Sequence, residues 1–227
     1  MPKIRDSLYN VDIYEGFELV PHRYDLGHDP GGGGSDLFTK LVGQIRPSVI
    51  VEVGTWLGGA SITMAKAARD LGLDCEIVCI DTWLTDSSMY RGGVHECMAS
   101  KHGYPQMYYY FLSNVVKHGV QDYITPLPLQ GEYGAQALKE REVLADLIYL
   151  DAGHHEEYVR RDIENFLPLL RPGGTIFGDD YYVWGTGVAQ AVDREFGNNI
   201  WRYDWDGSDE RLRKDRFWVR GPKLGEG

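Results

Sequence analysis

The order of strand-like and helix-like segments constrains the fold of this chain more than any other feature. Five short apolar segments favour strands, and segments with a helical period separate or follow them. The strand segments are residues 48–53, 76–81, 123–129, 145–151 and 175–180. Such alternation implies right-handed crossovers and a mostly parallel sheet with helices on both faces. Two strand-like segments in the tail, 200–204 and 216–220, predict a hairpin that adds an antiparallel edge strand and brings the sheet to seven strands.

The chain has no internal repeat and no sign of a second core, so its 227 residues fit one domain. Residues 1–35 lack a clear period and end in the hinge-like stretch GHDPGGGGS. We therefore predict an N-terminal segment over 1–35 that closes over the site as a lid. The main domain is predicted over 36–227.

Charge and hydropathy exclude several classes of partner. The net charge is −11 and lysines and arginines form no block, whereas proteins that grip nucleic acid usually show a basic surface. We expect no nucleic-acid partner. No apolar run approaches the roughly 20 residues of a membrane helix, and the N-terminus lacks the apolar core of a secretory signal. The expectation is a cytoplasmic protein without a membrane partner.

The first strand ends in a glycine-rich loop, VEVGTWLGGASI. Gly54, Gly58 and Gly59 allow the backbone to approach a ligand closely and begin the next helix tightly. Their spacing differs from the Gly-x-Gly-x-x-Gly pattern that seats the pyrophosphate of a dinucleotide. Glu52 adds an anion near the same position, which suits a ligand with ammonium and sulfonium charge better than a diphosphate.

Asp81 ends the second strand, where a carboxylate can accept hydrogen bonds from the ribose hydroxyls of an adenosine. NAD and S-adenosylmethionine both carry this ribose, so Asp81 alone does not separate them. A structural alternative is that the glycines only shape a turn and that Asp81 only caps a loop.

Three stretches together resemble a known family: VEVGTWLGGAS, CIDTWL and DLIYLDAGHHEEYVRRDIENFLPLLRPGGTIFGDDYY. They are similar to the class I S-adenosylmethionine-dependent methyltransferase subfamily that includes the macrocin and mycinamicin sugar O-methyltransferases. The proteins called cephalosporin hydroxylases are similar too. The resemblance covers residues 36–197 and implies a Rossmann-like class I methyltransferase fold.

The resemblance also implies a cofactor site for S-adenosylmethionine. The residues expected around its methionine part are Glu52, Gly54, Thr55, Gly59 and Ser61. Asp81, with Trp83 beside it, would hold the ribose. Gln130 and Gly131 would lie by the adenine, although the family often has a serine where this chain has Gly131.

Three aspartates follow the fourth and fifth strand segments: Asp151, Asp179 and Asp180. If these strands are neighbours, the three carboxylates converge and need a cation or protons to relieve their repulsion. A hard divalent cation such as Mg²⁺ fits such oxygen ligands. The resembling sugar methyltransferases use this pattern for a divalent metal that chelates two substrate oxygens. An Asp-Asp pair after a strand is also common turn chemistry.

His154 lies three residues after Asp151, at the start of the most regular predicted helix. The positive end of the helix dipole favours a neutral imidazole, which can accept a proton. By resemblance His154 is the general base, and Asp151 is assigned to the catalytic site with it. In this interpretation a hydroxyl acidified by the metal loses its proton to His154 as its oxygen attacks the sulfonium methyl. His154 could instead be a polar helix cap.

The activity that these features favour is metal-dependent O-methylation of a sugar, glycan or other small-molecule diol, with adjacent hydroxyls on the acceptor. A catechol-type phenol is an alternative acceptor. An oxidoreductase of the cephalosporin-hydroxylase type is an alternative reaction class, but a second histidine ligand for iron is missing. A non-catalytic S-adenosylmethionine-binding module is a third reading. Relatives self-associate, which suggests a homo-oligomer.

Overall fold

The computed structural model of the protein describes residues 3–22, 34–84, 100–182, 185–204 and 216–225. Its helices are α1 (Ile4–Leu8), α2 (Gly34–Ile45), α3 (Gly59–Asp70), α4 (Met107–Lys117), α5 (Gly131–Glu140), α6 (Glu156–Phe166) and α7 (Gly187–Phe196). Its strands are β1 (Val49–Val53), β2 (Glu76–Ile80), β3 (Ser100–Lys101), β4 (Tyr104–Pro105), β5 (Ile124–Leu127), β6 (Ala145–Leu150), β7 (Leu170–Gly178), β8 (Trp201–Tyr203) and β9 (Phe217–Arg220).

Seven strands form one sheet in the order β5-β2-β1-β6-β7-β9-β8, and β3 pairs with β4 in a separate short hairpin. Strands β5, β2, β1, β6 and β7 are parallel, whereas β9 is antiparallel to both β7 and β8. The predicted α/β architecture is confirmed, with the antiparallel strand next to the edge strand β8. The chain moves from β1 to β2 and β5 on one side and then to β6 and β7 on the other. Strand order therefore reverses between β1 and β6, the position where open α/β sheets bind ligands.

Side chains of β1 alternate between two apolar cores. Ile50 packs with residues of α2, α3 and α4, whereas Val51 and Val53 pack with residues of α5, α6 and α7. Because successive side chains of a strand point to opposite faces, Glu52 lies on the same face as Ile50. Both faces of the sheet are thus covered, which explains why the parallel strands are apolar throughout rather than alternating.

Helix α2 was not predicted from the sequence. Its buried residues Leu37, Phe38, Leu41 and Val42 have a helical spacing that the preceding glycine run obscures. The Phe38 ring lies 5.1 Å from the ring of Tyr149 in an edge-on contact, so α2 closes one face of the sheet.

Two element boundaries also differ from the sequence prediction. The sequence pattern predicts a helix from Ala135 to Leu144, but helix α5 begins at Gly131, four residues earlier. Helix α6 ends at Phe166 and is followed by a 3₁₀ turn over Leu167–Leu169. The sequence predicts that Pro172-Gly173-Gly174 stops this helix, but these residues lie inside β7, where the pairing with β6 shifts register.

The described part of the N-terminal segment, residues 3–22, packs beside the edge strand β5 and helix α4, as the hydrogen bonds given below show. The glycine run expected to act as a hinge lies mostly outside the described residues, so the lid stays a prediction. None of the helices in the described ranges is both long and apolar enough to cross a bilayer.

Candidate functional site

The carboxyl ends of the central strands bring the predicted site residues to one edge of the sheet. Val53 pairs with Ile80 on one side and with Leu150 on the other, and Leu150 pairs with Gly178. The residues that follow these positions therefore emerge side by side. This register places the glycine loop, Asp81, Asp151 and the Asp179–Asp180 pair around one crevice.

The glycine loop has a backbone that only glycine accommodates at Gly54. This residue has φ +86°, and a Cβ there would lie 2.1 Å from the carbonyl oxygen of Asp151. Gly58 has φ +92°, and a Cβ there would lie 2.9 Å from the ring of Phe111. The predicted cofactor loop is thus in direct contact with the backbone of Asp151.

Asp81 holds this loop through hydrogen bonds. One of its carboxylate oxygens accepts the N–H groups of Thr55 at 3.0 Å and Trp56 at 2.8 Å, and the other accepts the N–H of Trp83 at 2.7 Å. Burial raises the pKa of Asp81, and these backbone donors offset part of the effect. Asp81 therefore does cap the loop, as the structural alternative predicted. Its contact with a ribose stays a prediction.

Trp83 lies in the core rather than on the crevice surface. Its side chain is 1% exposed, and its indole N–H donates to the carbonyl of Trp56 at 2.7 Å. The ring packs 4.9 Å from that of Phe111. In this conformation Trp83 supports the glycine loop from below, and its predicted contact with a ribose stays untested.

Glu52 is a buried carboxyl group beneath the loop, with 1% of its surface exposed. Burial raises the pKa of Glu52 to about 8, although the nearby Ser61 and Thr55 hydroxyls favour the charged form. Its Oε2 atom accepts no hydrogen bond within the described ranges. A cationic ligand group placed beside it would favour ionisation.

The start of α5 lies between β5 and α6. Gln130 is exposed, and Gly131 has no room for a side chain because a Cβ would lie 2.9 Å from Oδ1 of Asp162. Burial raises the pKa of Asp162 to about 6. Asp162 was not predicted as a site residue, and it lines a small pocket that also reaches Asp151 and His154.

Asp151, His154 and Asp180 form a cluster whose ligand atoms all lie within 4.8 Å of one another. The Nε2 atom of His154 is 2.9 Å from Oδ2 of Asp180. Asp151 accepts a hydrogen bond of 3.0 Å from the hydroxyl of Tyr149. Three groups of this kind could hold a divalent cation, with two oxygen ligands and one nitrogen ligand.

The carboxylates around His154 act against the neutral imidazole that the sequence predicts. The hydrogen bond to Asp180 raises the pKa of His154, and burial opposes this only in part. The helix begins at Glu156, so His154 precedes its first turn and the helix dipole does not dominate. Without a bound cation the carboxylates therefore favour the imidazolium form rather than the expected neutral ring.

Asp179 is paired with Arg216 rather than with the cluster. Arg216 donates from Nε to Oδ1 at 2.8 Å and from its terminal nitrogen to Oδ2 at 3.0 Å. The same terminal nitrogen lies 3.3 Å from Oδ1 of Asp180. The guanidinium of Arg216 thus neutralises Asp179, one of the three predicted metal ligands. His154 stands in the cluster where the sequence predicted Asp179.

Asp180 has an unusual backbone conformation, with φ +56°. Aspartate tolerates this left-handed region better than most residues, but it remains less favourable than the helical or extended regions. The N–H of the next residue, Tyr181, donates to the carbonyl of Arg216 at 2.9 Å. Strand β9 therefore secures the turn that carries both aspartates.

The sequence places three aromatic residues, Tyr181, Tyr182 and Trp184, directly after the aspartate pair, where they could stack on an acceptor. Tyr181 is buried and hydrogen-bonded to Asp193, whereas Tyr182 is 49% exposed. Trp184 and most of the loop over 87–103 lie outside the described residues. Tyr182 is thus the described aromatic side chain of this group that a ligand could contact.

Three comparisons with known proteins extend these observations. A family model described as a methyltransferase domain matches residues 51–181. A protein of Sinorhizobium fredii (strain NBRC 101917 / NGR234) named "Uncharacterized protein y4gI" is 29% identical over 199 residues. The match covers 86% of this chain and 18% of that protein, so the chain spans less than a fifth of the relative's length.

Solved structures show the same fold. Cofactor-bound Rv0187 from MTB has a TM-score of 0.59 at 16% identity, over 92% of this chain and 87% of that one. The O-methyltransferase TomG from Streptomyces achromogenes, which is involved in tomaymycin synthesis and was solved in complex with SAM, has a TM-score of 0.55 at 16% identity. That match covers 96% of this chain and 97% of TomG.

Proposed function

This chain belongs to a methyltransferase domain family, and from that premise we propose that it is an S-adenosylmethionine-dependent O-methyltransferase. The observation that carries the proposal is the contact between the glycine loop and the acid cluster. Gly54 lies against the carbonyl of Asp151, and Asp151 belongs to the cluster with His154 and Asp180. A methyl donor in the loop would lie next to groups able to bind and deprotonate an acceptor.

The cofactor assignment rests on the chemistry of the loop. Glu52 offers a buried carboxyl group that a cationic ligand would ionise, and Thr55, Gly59 and Ser61 lie on the same loop or at the start of α3. Asp81 offers carboxylate oxygens for a ribose. Gln130 and Gly131 at the start of α5 are proposed to lie beside the adenine. S-adenosylmethionine carries the ammonium, the sulfonium and the adenosine that these groups would recognise.

A divalent cation such as Mg²⁺ is proposed at the carboxylates of Asp151 and Asp180, which leaves the imidazole of His154 beside them to act as a base. The third predicted ligand, Asp179, is held by Arg216 and would contribute to binding only if that pair opened. When bound, the cation supplies Lewis acidity that makes an acceptor hydroxyl more acidic.

His154 is proposed to accept the proton of that hydroxyl. S-adenosylmethionine would supply the methyl group, which passes from sulfur to the acceptor oxygen with S-adenosylhomocysteine, a neutral thioether, as the other product. Asp180 would stabilise the resulting imidazolium, because its carboxylate oxygen is 2.9 Å from Nε2 of His154. Alignment of the acceptor oxygen with the methyl donor would supply much of the remaining rate enhancement.

The proposed acceptor is a sugar, glycan or other small molecule with adjacent hydroxyls, because two neighbouring oxygens can share one cation. The exposed ring of Tyr182 could stack on its apolar face. The oxidoreductase alternative is not favoured, because the cluster has one histidine and two carboxylates rather than two histidines and one.

Calorimetry tests the proposal on the metal-stripped protein, with S-adenosylhomocysteine first and Mg²⁺ second. We expect micromolar binding of S-adenosylhomocysteine. We also expect a Mg²⁺ signal that Asp180→Asn abolishes and that the matched change Asp179→Asn retains in part. Absence of S-adenosylhomocysteine binding under both conditions would overturn the cofactor assignment. A Mg²⁺ signal unchanged in Asp180→Asn would overturn the cation assignment alone.

A further inference from the structure

The N-terminal segment is anchored along the sheet edge by several hydrogen bonds. The carboxylate of Glu76 accepts the N–H groups of Ile4 at 2.6 Å and Arg5 at 2.8 Å. The Arg5 guanidinium donates to the carbonyl of Ile124 at 2.6 Å, and the hydroxyl of Tyr9 donates to the carbonyl of Pro126 at 2.6 Å. These contacts carry the segment along β5.

The segment then reaches helix α4. The N–H of Val20 donates to the hydroxyl of Ser113 at 2.8 Å. The His22 ring lies 4.8 Å from the ring of Tyr110, and its Nε2 atom is 2.9 Å from Oδ1 of Asn114. His22 is therefore fixed against two residues that lie one turn apart on α4.

Asn114 connects this contact to the glycine loop. Its side chain is buried, and its Nδ2 group donates to the carbonyl of Leu57 at 3.0 Å. Because the amide nitrogen faces Leu57, the amide oxygen faces His22, and Nε2 of His22 is the donor. Leu57 lies between Trp56 and Gly58, which both have positive φ angles.

We infer that His22, acting through Asn114, positions the glycine loop, so that docking of residues 3–22 sets the affinity of the protein for its cofactor. A loop with several left-handed residues needs bonds from outside to keep one conformation. Asp81 supplies them to two N–H groups of the loop, and Trp83 and Asn114 supply them to two carbonyls. Of these four contacts, the one through Asn114 leads back to the N-terminal segment. The identity of the cofactor rests on the proposed function, whereas the effect on the loop does not.

The test combines amide hydrogen exchange of residues 54–60 with calorimetry of S-adenosylhomocysteine binding. His22→Leu should speed exchange in this loop and weaken S-adenosylhomocysteine binding about fivefold or more. His22→Gln should restore both, since its amide can donate to Asn114. The matched control is Tyr9→Phe, which removes one hydrogen bond of the same segment far from Asn114 and should leave the loop unchanged. None of these changes alters a residue of the proposed cofactor or cation site.

The outcomes separate this inference from the proposed function. Unchanged exchange and affinity in a folded His22→Leu protein would overturn the inference, as would equal effects of His22→Leu and Tyr9→Phe. Faster loop exchange in His22→Leu, in a chain whose parent binds no S-adenosylhomocysteine, would support the positioning of the loop and overturn the proposed cofactor.

Discussion

Arg216 determines how much negative charge the acid cluster presents to the crevice. Asp179 and Arg216 have side chains that are 1% and 14% exposed, so their pairing takes place largely out of water. The pair leaves Asp151 and Asp180 as the carboxylates available to a cation or to His154. Arg216, the residue before β9, thus neutralises Asp179 and also lies 3.3 Å from Asp180.

Arg216→Gln is expected to lower the free energy of unfolding by about 3 kcal/mol, because it leaves the Asp179 carboxylate buried without its partner. Denaturant unfolding measures the change. Arg216→Lys should recover part of the loss, and the double variant Arg216→Gln with Asp179→Asn should recover more, since no unpaired charge remains. Stability of Arg216→Gln within about 0.5 kcal/mol of the parent would contradict the account.

The raised pKa of Glu52 predicts a pH dependence of stability. An acid with a folded-state pKa of about 8 and an ordinary value of 4.5 binds its proton more tightly in the folded chain. Its contribution to stability is fully present below pH 4.5 and is lost as the pH rises toward 8. Relative to Glu52→Gln, the parent should therefore lose stability between these limits, as measured by unfolding at several pH values. The same dependence of unfolding free energy on pH in both proteins would refute the prediction.

Gly54, Asp81 and Asp151 were recognised from the sequence because each directly follows or ends an apolar strand segment, whereas His154 was assigned by resemblance. Parallel strands bring such positions to one edge, so local pattern is enough to gather them. Asn114 and Asp162 carry no such signal, since they lie within helices. The position of Arg216 could have been found only by assuming that the last strand runs antiparallel to β7, which brings its first residues to the carboxyl end of that strand.

The glycine loop after β1 packs tightly against the backbone that follows β6. Gly54→Ala should lower the free energy of unfolding by more than about 3 kcal/mol, because the added Cβ would clash with the backbone of Asp151. Gly72→Ala is the matched control: Gly72 also has a positive φ, +63°, but its Cβ would meet no atom within 4 Å. The control should cost about 1 kcal/mol. Equal losses for both changes in thermal or denaturant unfolding would show that the close approach to Asp151 is not what requires glycine.

Helix boundaries show where local pattern fails. The apolar period of α2 is present in the sequence, but the adjacent glycine run favours a loop. Helix α5 starts at Gly131, a residue with low helix propensity, beside the carboxylate of Asp162. In both cases the folded chain departs from the preference of the local sequence.

For the whole molecule, the N-terminal segment covers one edge of the sheet. Strand β5 is the outermost strand on that side, and an exposed edge can pair with another chain. Deletion of residues 1–22 should therefore increase concentration-dependent self-association, measured by light scattering across a dilution series. Tyr9→Phe is the full-length control. A folded deletion variant that keeps the oligomeric state of the parent at every concentration would rule out this protective role.

The sequence was enough to predict the α/β architecture, because strand and helix periods are local properties and right-handed crossovers leave few ways to connect them. It also identified the glycine loop and the aspartates that end the strands. Only folding brings Arg216 to Asp179, sets Asp180 beside His154 so that the pKa of His154 is raised, and connects His22 to the loop through Asn114. These contacts join residues from distant parts of the chain, and their energies depend on burial and on distances of a few ångströms that only the folded chain defines.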